Sequence, residues 1–141
     1  MSDIAMGDIP GIHQAAVRHI AVGTTDATRK DVIFRAPFAC LITGVSWIPD
    51  VAVTGADTNS RNLNINDEGL AGIGDAEIAN IDFASGQDAV ALDELAVTMS
   101  SANHALQDGD VLTAEWEKVG TGLAAPAGMF VIYYKANPAE G

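Results

Sequence analysis

From Lys30 to Asn66 the chain reads KDVIFRAPFACLITGVSWIPDVAVTGADTNSRNLNIN, a run made of strand formers and turn residues. Val32 to Arg35 and Cys40 to Ile48 are rich in β-branched, aromatic and other apolar side chains, which suit a pleated, half-buried surface. Pro37 and Pro49 punctuate these stretches, because proline donates no hydrogen bond to a sheet ladder. Gly55-Ala56-Asp57-Thr58-Asn59-Ser60 has the composition of a loop. Arg61 to Asn66 then alternates polar and apolar residues, the period of a half-buried strand. Nothing in the run is placed for chemistry.

The remainder keeps the same rhythm. Val17 to Val22 alternates weakly, and Gly23 to Thr28 is loop-like. Asn66-Asp67-Glu68-Gly69 reads as a turn. Glu77 to Phe83 carries Ile78 and Ile81, and Ser85 to Asp88 makes the next turn. Leu95, Val97 and Met99 alternate with Ala96, Thr98 and Ser100, whereas Leu92 falls out of phase and marks a bulge or break near Asp93-Glu94. Ser101 to Leu106 could form a helical turn. Asp108-Gly109 is a strong turn signal. Val111 to Val119 is a strand containing Trp116, and Gly120 to Gly128 is a Gly- and Ala-rich loop. Met129 to Tyr134 is apolar on both alternating sets, so it needs cover on both faces or lies at a subunit contact. Short strands separated by turn chemistry predict an all-β single domain, an antiparallel β-sandwich of jelly-roll type over residues 12–141, with an open antiparallel barrel as the alternative. Residues 1–11 read as an extended arm whose Ile4, Met6, Ile9 and, just beyond, Ile12 are too apolar for an inert tail.

At 141 residues the chain is long enough for one domain that buries roughly 68–70% of its unfolded surface. Seven basic against nineteen acidic residues give a net charge of −12. That balance opposes binding to nucleic-acid phosphates and to anionic membranes. It serves either solubility or a basic partner surface. The start of the chain lacks the basic and apolar regions of a signal peptide, and no apolar stretch approaches the roughly 20 residues of a spanning helix. Cys40, the single cysteine, sits in an apolar run and reads as a small buried hydrophobe.

Candidate chemical motifs give way to plainer readings. Gly69-Leu70-Ala71-Gly72-Ile73-Gly74 lacks the Lys and Ser/Thr of a phosphate loop and is followed by Asp75 and Glu77, which repel phosphate. Asn62, Asn64, Asn66, Asp67 and Glu68 suggest a calcium loop, but Asp67 falls where an EF-hand needs glycine. The alternating asparagines read more simply as a solvent- or subunit-facing set. His13, His19 and His104 have no zinc-like spacing and read as surface or interface residues. No nucleophile elbow surrounds Ser46 or Ser85. The paired carboxylates Asp93-Glu94 and Glu115/Glu117 read as a solvated sheet edge rather than a glycosidase pair. Trp47 and Trp116 could stack on a sugar, which would make the chain a carbohydrate- or host-surface-binding module, but they fit core or interface anchors better. No cofactor, metal or catalytic residue is expected, and the chain is not read as an enzyme.

The run from Lys30 to Asn66 also resembles a family of tailed-bacteriophage head decoration, or capsid cement, proteins. The resemblance rests on Phe34-Arg35-Ala36-Pro37-Phe38, on Gly44-Val45-Ser46-Trp47-Ile48-Pro49-Asp50, and on Ala52-Val53-Thr54-Gly55-Ala56-Asp57-Thr58-Asn59 with the following Arg61-Asn62-Leu63-Asn64. It continues more loosely through Leu106 to Leu112 and Val119 to Gly122, as far as Tyr134. It implies a virion protein on the outer capsid surface, made in the host cytoplasm, that binds the major capsid protein and bridges neighbouring capsomers, commonly as a homotrimer. The contact residues expected under that resemblance are Ile4, Met6, Ile9, Ile12, Trp47, Arg61, Phe130 and Tyr133.

Overall fold

The computed structural model describes residues 11–138. Its regular elements are all strands: β1 (His13–His19), β2 (Arg29–Arg35), β3 (Cys40–Pro49), β4 (Ser60–Gly69), β5 (Ala76–Asp82), β6 (Leu95–Met99), β7 (His104–Leu106), β8 (Val111–Val119) and β9 (Gly128–Ala136). Every pairing between them is antiparallel. One sheet runs β1-β9-β3-β6 and the other β5-β4-β8-β2, with β7 attached to β3. Strands far apart in sequence are thus neighbours in each sheet, the double Greek key of a jelly roll. The barrel alternative survives as a detail: β6 bonds β3 through Leu95 to Val97 and β5 through Thr98 and Met99, joining the sheets along one side.

The proline and turn signals set the strand ends. Pro49 closes β3, and Asp108-Gly109 turns the chain into β8 with Gly109 at φ +92 and Asp110 N–H bonded to the Gln107 carbonyl. Three expectations are corrected. Asn66 to Gly69 is not a turn; β4 continues through Gly69 by absorbing register shifts at Ile65/Asn66 and Asp67/Gly69. The suggested helical turn at Ser101 to Leu106 ends instead in the short strand β7. The alternating asparagines of β4 are not a solvated set, because Asn64 and Asn66 are buried, Asn64 with its side-chain amide bonded to Asn80, Glu115 and Glu117.

The core lies between the two sheets. Trp47 and Trp116 meet edge to face at 5.0 Å between ring centroids, an arrangement that suits the charge distribution of aromatic rings. Phe83 abuts Trp47, and Phe130 abuts Trp116. Val22, Ile42, Leu63, Ile65, Leu106, Leu112 and Ile132 are fully buried around them. Cys40 is one of the core residues, and burial pushes its thiol up to about 11. The doubly apolar β9 is central in its sheet: Phe130, Ile132 and Tyr134 face inward, while outward Val131 is covered beside its register partners Ala16 and Ser46.

Candidate interaction surfaces

Several side chains expected at contacts are enclosed by the chain itself. Trp47 and Phe130 are wholly buried and Arg61 is 1% exposed, so none has surface to offer a partner. Nor can Trp47 and Trp116 form a stacking platform for sugar, since both faces of each ring lie in the core. His19 is corrected likewise from a surface residue to a core one: it is 7% exposed and packed among Trp47, Trp116 and Phe130. Its Nδ1 lies 2.8 Å from the Ile20 carbonyl, and Trp47 Nε1–H donates to its Nε2 at 2.8 Å. A neutral imidazole protonated on Nδ1 satisfies both bonds. Burial pushes the His19 pKa below its ordinary value, against the opposing pull of the Ile20 carbonyl. The Trp116 indole N–H is buried without a hydrogen-bond partner.

Arg61 is a clamp. Its guanidinium donates to the carbonyls of Gly23, Thr24 and Asp26 in the β1–β2 loop, and its Nε and Nη1 reach the carbonyls of Leu123 and Trp116. Gly122 makes room for it: φ is +93, and a Cβ there would strike the Thr24 carbonyl oxygen. Of the other expected contact residues, Ile4, Met6 and Ile9 lie outside the described residues. Ile12 is exposed, and Tyr133 stands on the outer face of β9, donating its hydroxyl to Glu94.

The outer face of the β5-β4-β8-β2 sheet is polar and acidic. One row in register crosses five strands: Thr98, Asn80, Asn64, Glu115 and Lys30. Asn80 Nδ2 donates to Asn64 Oδ1 at 2.6 Å, and Asn64 Nδ2 donates to Glu115 at 2.9 Å and Glu117 at 3.2 Å. Lys30 bridges Glu68 and Asp75 at 3.0 Å each. Burial, then the neighbouring Asp82, Glu117 and Glu115, hold the Glu77 carboxyl above its ordinary range. Among the described residues no cation pairs with these four carboxylates, and no three His, Cys, Asp or Glu side chains converge to hold a metal ion.

A second surface lies where the β1-β9-β3-β6 sheet runs out into loops. Segments 20–22, 125–127, 50–53 and 89–92 stay side by side through Val22 N–H to the Ala125 carbonyl, Asp50 N–H to Ala127, Val53 N–H to Ala89 and Leu92 N–H to Pro49. These loops carry Ile20, Val51, Val90 and Leu92, four of the eight large hydrophobics exposed among the described residues. Leu92 is 77% exposed at φ +64, and among the described residues it is the one non-glycine with positive φ. Its broken phase in the sequence marked the irregularity but not the exposure.

These observations define a jelly-roll β-sandwich with two unlike surfaces. Comparison with protein-family models finds no match, and comparison with curated proteins finds none either. Among solved structures, one titled "Structure of infectious bursal disease virus Gx strain" is similar with a TM-score of 0.45 and 12% identity, over 92% of this chain and 33% of that one. The chain therefore spans about a third of the length of that chain.

Proposed function

We propose that this chain is a structural virion protein that binds the outer surface of an assembled capsid, bridges neighbouring capsomers and stabilises the shell without catalysis. The observation that carries the proposal is where the sequence resemblance to capsid cement proteins falls in the fold. Its segments are the end of β2, the whole of β3 from Gly44, the β3–β4 loop and the start of β4, and they supply Trp47 and Arg61, which lock the scaffold. What remains outside is recognition surface: an acidic sheet face and an apolar loop rim. The major capsid protein is the proposed partner, with further copies of the chain in a homotrimer. Nucleic acid and membranes are not proposed partners at a net charge of −12. The segment Met1 to Gly11 is proposed to add to attachment, as an extended segment can by pairing with a neighbour's sheet edge.

Binding only the assembled lattice lowers the free energy of that state, by about 2.7 kcal/mol per site when free protein stands at a hundred times its Kd. The test is co-sedimentation with undecorated shells of the particle the chain is proposed to decorate, together with calorimetry of the shells. Saturable binding that raises the shell melting temperature is expected. No binding, or binding with unchanged shell melting, refutes the proposal. Deleting residues 1–11 should leave the protein's own melting near that of the intact chain while lowering occupancy on shells. Full occupancy after deletion removes the arm from the mechanism.

A further inference from the structure

Building on the shell-docking function proposed above, we infer that the apolar loop rim of Ile20, Val51, Val90 and Leu92 is a docking surface for a different protein that presents an apolar depression edged with Lys or Arg. Leu92 carries the first half of this inference. A left-handed backbone conformation favours glycine or asparagine, because a Cβ is crowded there. A leucine that is nevertheless 77% exposed gains nothing from the core of its own chain. Its side chain is of use only to something that covers it. Val90, two residues earlier, is 65% exposed, and Val51 on the adjoining segment is 60% exposed. Clustering of such residues at one end of the molecule is what marks contact surfaces rather than scattered exposure.

Charge decides which occupant fits. Asp88, Asp93 and Glu94 flank the rim, and among the described residues none is paired with a cation. Asp88 accepts from Gly55 N–H and Glu94 from the Tyr133 hydroxyl, and neither donor is a cation. A second copy has few cations to offer them: among the described residues its exposed arginines and Lys30 already face carboxylates, which leaves Lys118 and Lys135 outside any ion pair. Arg18, Arg29, Lys30 and Arg35 are held by Asp50, Asp31, Glu68 with Asp75, and Asp108. Arg61 is buried on carbonyls, and Lys118 donates to Thr25. Lys135, the seventh, lies near the opposite end of β9, in register with Leu41. Two rims brought together would oppose like carboxylates. A partner with basic residues around an apolar pocket joins both features, and complementary charge would also hasten its capture.

The test uses the full chain, Leu92→Gly and Val90→Ser, with undecorated shells as the probe. Both variants should melt no lower than the wild type, since glycine occupies φ +64 without strain and Val90 packs on little. Both should co-sediment at least tenfold more weakly, and wild-type binding should weaken further at about 0.5 M salt, where the screening length falls to roughly 4 Å. Wild-type binding that both variants retain in full overturns this inference while leaving the shell-docking function standing. Failure of the wild type to bind overturns both. Velocity sedimentation supplies the remaining outcome: a wild-type oligomer that either substitution dissolves makes the occupant a second copy and overturns the inference.

Discussion

Trp47 and Trp116 are equally buried, yet replacing each with phenylalanine should cost very different amounts. Either change removes a similar part of an indole from the same core, at about 2 kcal/mol for the lost apolar contact and the small void. Trp47→Phe also removes the donor to His19 Nε2, and a buried acceptor left unpaired costs about 1–3 kcal/mol. Trp116→Phe does the reverse: it deletes an N–H that is already buried without a partner, and so relieves a penalty of the same order. The two variants should therefore differ by about 2 kcal/mol or more, with Trp47→Phe the less stable. At roughly 3 °C per kcal/mol for a domain of this size, the gap in melting temperature is about 6 °C or more. Urea unfolding, with equal m values required for both variants, measures it. Equal stabilities, or Trp116→Phe the weaker, would refute the assignment of the His19–Trp47 bond as the polar joint of the core.

Three further outcomes follow from the same interior. Arg61→Lys keeps the charge but loses the forked donors to five carbonyls, and should cost about 3–5 kcal/mol, as breaking a buried network does; a variant that melts with the wild type removes the clamp. Because His19 is held below its ordinary value, the unfolded chain takes up its proton first. Its contribution is full above about pH 6.5, the unfolded value, and is lost as pH falls from there through the folded value. Urea stability measured from pH 7.5 down to pH 5 should thus fall more steeply for the wild type than for His19→Gln, and parallel slopes would contradict it. Cys40, with its thiol pushed up to about 11, should react with a thiol reagent at pH 8 only at the rate of unfolding, so rapid labelling of the folded protein would exclude its burial.

The limits of the sequence reading are clearest in β4. Its period-two pattern put Leu63 and Ile65 on the inward set, and Arg61 shares that phase. The same count could have placed the guanidinium inside, yet its partners are 35 to 62 residues away and leave no local trace. Asn66 to Gly69 read as a turn because Asn, Asp and Gly favour turns, but two register shifts let the strand carry them. His19 was invisible as a core residue for a related reason: its burial depends on Trp47, which lies 28 positions on. By contrast, Pro37, Pro49 and Asp108-Gly109 act on their own backbone, and the boundaries they mark were legible. The apolar rim was not, since Val51 and Val90 look like strand interior in any local window. The broken phase of Leu92 marked an irregular backbone there, not an exposed side chain.

Strand β6 is only five residues long, yet it belongs to both sheets. The sandwich is therefore built like a folded page with β6 as its crease, while the margins β1 and β2 meet without a ladder and are fastened by Arg29, which reaches from β2 to the carbonyls of Ile20 and Ala21 just beyond β1; Arg61, from β4, holds the loop between them. Motion has a preferred place to begin. Amide protons of β3 and β4, laddered on both sides, should exchange slowly, and those of β1 facing the unladdered margin should exchange first. A load arriving along the N-terminal segment would enter the molecule at β1, where β9 is its one ladder partner. The strand would peel before the crease opened, with the other ladders still closed.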